Sequence, residues 1–114
     1  IVYPGAELPV IEAIKLGAPG CISATANLNS SDIAKVIDLC HNKEWDKAEK
    51  LHEKVKSVRL LFQDYAPIPA QKRLLAKKTG DVVWSNVRPP LISMSKEKGD
   101  ELANELNNNF GYSF

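Results

Sequence analysis

Apolar positions recur along this chain with two periods. At the front, Ile1-Val2-Tyr3 and Cys21-Ile22-Ser23 are short apolar runs, the first followed by Pro4-Gly5 and the second preceded by Ala18-Pro19-Gly20. Runs of this kind, bounded by glycine and proline, read as buried strands. Between them Leu8, Ile11, Ala13, Ile14 and Leu16 fall on one helical face. Pro9 suits the first turn of that helix, where its missing N–H is not needed, and Gly17 suits its end. The pattern predicts strand, loop, helix, strand, loop. That is the repeating unit of a parallel α/β fold, in which the loops after the strands carry the chemistry.

Beyond Asn27 the period is helical throughout. Ile33, Val36, Ile37 and Cys40 repeat at i, i+3, i+4 and i+7, with Ser30 or Ser31 as N-cap, Asp32 at the positive end of the dipole and Asn42 at the end. Trp45, Ala48, Leu51, Val55, Val58, Leu61 (or Phe62) and Tyr65 form one long stripe opposite Asp46, Lys47, Glu49, Lys50, Glu53 and Lys54. Ala66-Pro67-Ile68-Pro69 breaks it. A short basic helix is expected over Gln71–Thr79, stopped by Gly80-Asp81. The segment from Trp84 to Leu91 reads as an extended connection, and a last helix runs from Ser95 to Asn108 with Ser95 as its cap. The tail from Asn109 to Phe114 is expected to be loosely held. Two strands alone make a poor parallel sheet, with both faces uncovered and both edges open.

Composition narrows the function classes. The 114 residues suggest one domain, and 44% apolar with 25% charged residues is ordinary for a globular protein. A net charge of +1 gives no basic excess for nucleic acid. No apolar run reaches the roughly 18 residues of a membrane span, and no signal peptide is visible. Cys21 and Cys40 lack metal-ligand spacing and read as small apolar residues of a reducing, cytoplasmic compartment. His41 and His52 have no third ligand and read as surface histidines, so no metal is expected. The chain opens at Ile1 inside an apolar run, as a fragment of a longer chain would.

The order of several motifs adds a resemblance. Gly5, the Leu16-Gly17-Ala18-Pro19-Gly20 step, Gly20-Cys21-Ile22-Ser23 and Asn27 resemble the last two strands of the dihydrodipicolinate synthase / N-acetylneuraminate lyase family. Ala48-Glu49-Lys50-Leu51, Pro67-Ile68-Pro69-Ala70-Gln71-Lys72 and Val87-Arg88-Pro89-Pro90-Leu91 fit that family's C-terminal helical region. The match runs from about Val2 to Leu106. It implies an α/β fold: the C-terminal part of a (β/α)8 TIM barrel, with residues 1–43 as its last two β/α units (strands 7 and 8) and 44–114 as a helical region. A complete barrel takes about 250 residues.

The resemblance also implies a lyase that forms a Schiff base between a lysine and pyruvate or another 2-oxo acid, with a tyrosine moving protons, no cofactor and a homotetrameric assembly. Such a lysine needs a desolvated pocket or a cationic neighbour. No lysine here lies in an apolar strand, and Tyr3 does not occupy the position of the family's tyrosine. The catalytic pair is therefore expected upstream of Ile1, with no catalytic residue in this chain. What remains is pocket lining: the backbone at Ile22, with Gly5 at the rim and Ser23 and Glu7 beside them. Sialic acid lyases carry two consecutive acidic residues after the equivalent of Gly5. Glu7 matches the first and Leu8 fails the second, which counts against that substrate. The alternative is a free-standing helical interaction module using the Trp45–Tyr65 face. The glycine-marked front, for which an adaptor has no need, discriminates against it.

Overall fold

The computed structural model describes residues 1–114 and contains helices only. Five α-helices are formed: α1 Val10–Lys15, α2 Ala26–His41, α3 Trp45–Leu61, α4 Pro67–Thr79 and α5 Lys96–Phe110. Short 3-10 turns occupy Phe62–Asp64 and Val82–Ser85. The chain divides into two compact units, residues 1–60 and 61–114.

The expected strands, and with them the portion of a (β/α)8 barrel, are not present. No backbone bond joins residues 1–3 to residues 21–23; the Ile22 N–H donates to the carbonyl of Pro4, just after the first segment, at 3.0 Å. A parallel ladder needs a run of evenly spaced bonds and cover on both faces. Neither is available here: Val2 is 77% and Ile22 68% exposed. β-Prone composition is satisfied only by a partner strand, and neither segment has one.

In the first unit, α1 packs against α2, and the core gathers Val10 and Ile11 of α1, Ile33, Val36 and Cys40 of α2, and Ala48 and Val55 of α3. All but Val10 are among the predicted apolar positions; Val10 lies outside the predicted face of α1, and Leu16, placed on it, is exposed. Helix α2 starts earlier than its sequence suggests, with a first turn over residues 26–28 that kinks at Asn29 (φ −123°, ψ 31°). The regular helix follows from Ser30, close to the expected start. Lys43, with φ 59°, makes the turn into α3.

In the second unit, α4 packs against the 82–85 turn and against α5. Its core comprises Phe62, Ala70, Leu74, Ala76, Met94, Leu102, Ala103 and Leu106. The long stripe does not continue as one helix to Tyr65: α3 ends at Leu61, and Phe62, not Leu61, is buried. Helix α4 begins at Pro67, four residues before the predicted start, because the first-turn N–H groups of a helix have no internal acceptor and prolines there cost nothing. Ser95 caps α5 as expected, accepting from the Lys98 N–H at 3.2 Å, and Gly111 closes it at φ 72°. The tail is tied down rather than loose. Asn107 Oδ1 accepts from the Phe114 N–H at 2.9 Å, and the Lys78 ammonium lies 5.3 Å from the Phe114 ring centre.

Candidate functional site

The turn after Pro4 places a carboxylate in the interior. Glu7 is 0% exposed, between Gly5 and the start of α1. An ionised carboxylate out of water needs donors for both oxygens. It finds them in the second loop: Ser23 Oγ donates to one oxygen and Thr25 Oγ1 to the other. The two hydroxyl oxygens are 3.1 Å apart. A third attachment comes from α3. His52 is 2% exposed, and its Nε2 donates to the Glu7 carbonyl at 2.8 Å. A carbonyl only accepts, so Nε2 carries the proton. Sequence positions 7, 23, 25 and 52 thus meet in one buried polar cluster that ties both front loops to a helix.

Its field reaches the neighbouring thiol. Burial, and secondarily the Glu7 charge, push the Cys21 pKa above its ordinary value. Cys21 and Cys40 are both free. A protonated thiol of this kind is a poor nucleophile.

The four residues expected to line a pocket divide into two pairs. Glu7 and Ser23 are bonded to each other. Gly5 and Ile22 sit on either side of the Ile22–Pro4 backbone bond. A Cβ built on Gly5 meets no atom within 4 Å, so this turn faces open space, and the Ile22 side chain is exposed. Glu7, with both oxygens occupied and no exposed surface, holds the loops in place and offers no free carboxylate to a solute.

Two members of the cluster lay outside the expected set. Thr25 carried no assignment, and His52 read as a surface residue. The signal for His52 was its spacing: Ala48, His52 and Val55 fall on one face of α3, and all are buried. His41 is exposed as expected, with its Nε2 3.1 Å from the Pro19 carbonyl. No group of three or more potential ligands could hold a metal ion.

Comparison with known proteins decides the ancestry. The sequence model of the dihydrodipicolinate synthetase family matches residues 1–109. The chain belongs to this family. It is 31% identical over 108 residues to a protein of Buchnera aphidicola subsp. Cinara cedri (strain Cc) described as 4-hydroxy-tetrahydrodipicolinate synthase. That match covers 94% of this chain and 36% of the Buchnera protein. The chain therefore spans about a third of the length of this relative in the dihydrodipicolinate synthetase family. No helix is long and apolar enough to cross a membrane.

Proposed function

We propose that this chain is part of a lyase or aldolase acting on pyruvate or a related 2-oxo acid through a lysine Schiff base, with the lysine outside residues 1–114. The reaction is the addition of the amine to the ketone carbon with loss of water. The resulting iminium takes up the electron pair of the C–C bond as that bond breaks, giving an enamine; in the forming direction the iminium first loses a proton, and the enamine gives its pair to the new bond. Within the family, a reaction like that named for the Buchnera relative is the finer reading. Homo-oligomeric assembly and independence from a cofactor go with it.

The observation that carries the proposal is the state of the lysines in a member of a Schiff-base family. None is buried. Lys56, hydrogen-bonded to Glu53, is shifted upward, away from the neutral amine that such chemistry needs. The role left to this chain is a pocket wall. The Ile22 backbone would border the 2-oxo acid, Gly5 would leave room at the rim, and Ser23 would stand beside them, held by Glu7. The burial of Glu7 also speaks against a polyol-chain substrate, which would need free carboxylates there.

Borohydride reduction of the full-length protein in the presence of pyruvate tests the reading. A reduced adduct on a single lysine outside residues 1–114 is expected. An adduct on a lysine inside this range, or none at all, contradicts it.

A further inference from the structure

The second unit carries a cavity of about 250 Å³ between α4, the 82–85 turn and the start of α5. Its walls include Arg73 and Lys77 of α4, Val82 of the turn, and Lys96, Gly99 and Asp100 of α5. Three of these side chains are cationic and one is anionic. Lys77 and Asp100 pair at 2.6 Å, whereas no ion pair engages Arg73 or Lys96. Two positive charges are left uncompensated around one cavity. The three cations act on a common region: the Lys77 hydrogen bond, with the Lys96 and Arg73 charges behind it, holds the Asp100 carboxyl below its usual range.

Arg73 is seated rather than free. Its Nε donates to the Met94 carbonyl at 2.9 Å. Its stem lies so close to Gly99 that a Cβ on that residue would collide with Arg73 Cγ. Bonding through Nε leaves the four N–H groups on the two Nη atoms for another acceptor. A fixed guanidinium fork binds paired oxygens well, and a neighbouring ammonium adds a point charge.

We propose that this cavity binds a compact dianion of the phosphate class, with Arg73 supplying the fork, Lys96 the second charge, and the Lys77–Asp100 pair closing one wall. Gly99 is required because any side chain there would displace Arg73. The site is independent of the Schiff-base reading and stands or falls without it.

Titration of the full-length protein with inorganic phosphate at constant ionic strength, above neutral pH and followed by site-resolved amide NMR shifts, tests the proposal. Saturable shifts are expected at Lys96, Gly99 and Asp100. Lys96→Gln, an exposed position whose loss leaves the fold intact, is expected to weaken binding about tenfold. Arg73→Lys, which keeps the charge and removes the fork, is expected to do the same. Lys98→Gln, outside the cavity, is expected to leave binding unchanged. Absence of saturable shifts, or equal affinities in Lys96→Gln and Lys98→Gln, overturns the proposal.

Discussion

The two units bury different things. The second is held by an apolar core, with Phe62, Leu74, Leu102 and Leu106 all almost fully buried. The first has an apolar core of similar kind but also buries Glu7, Thr25, Asn29 and His52. Apolar contact is non-directional and tolerates small displacements. A carboxylate clamped by two hydroxyls, on a residue whose backbone carbonyl accepts from an imidazole, fixes the loops that carry it in one arrangement. The polar cluster lies under Gly5 and Ile22, where the family reading places the pocket wall. In the first unit, the free energy spent on desolvating polar groups goes with loop position. The second unit buries Gln71 and Ser85, whose hydroxyl donates to the Val82 carbonyl, but no charged side chain.

This contrast makes the units respond to different substitutions. The largest effect is expected in the second unit: Leu102→Ala removes a fully buried side chain and should cost about 2–5 kcal/mol in urea unfolding. Glu7→Ala should follow at about 2–4 kcal/mol, because the Ser23 and Thr25 hydroxyls lose their acceptor inside the protein. A negligible cost for Glu7→Ala would remove the distinction between the units. The smallest effect is chemical. Glu7→Gln removes the charge that helps to raise the Cys21 pKa, so Cys21 should form thiolate at lower pH and alkylate faster. Cys40, whose thiol is raised by burial and then by Glu49, should not change. An unchanged Cys21 rate would mean that the Glu7 charge does not reach it.

Local chemistry was legible in the sequence where a single residue decides it. Ser95 caps α5, Asn42 ends α2, and Gly80 stops α4 at φ 74°. In α2 and α3 the core positions Ile33, Val36, Cys40, Ala48 and Val55 followed from period, because a helix satisfies its own backbone. The strand expectation failed for the opposite reason. Pairing is non-local, and no backbone bond joins Ile1-Val2-Tyr3 to Cys21-Ile22-Ser23, where a ladder needs several; only Pro4, just after the first, accepts from Ile22. Gly5, Glu7, Ile22 and Ser23 could be named as site candidates, and the structure brings Glu7 and Ser23 into contact. That Glu7 is wholly buried was not legible, since its acceptor capacity is met by residues 16 and 18 positions away and its carbonyl by one 45 positions away. His52 was hidden among the charged residues of α3, although its spacing from Ala48 and Val55 placed it on the inner face.

The claim at the centre of this account is that Glu7 holds the two front loops together. Amide hydrogen exchange at Ile22, whose N–H bonds to Pro4, measures that directly in the wild-type chain and in Glu7→Gln. The account predicts faster exchange at Ile22 in the variant, with the amides of α5, such as Leu106, unchanged. Equal protection of Ile22 in both proteins would contradict it.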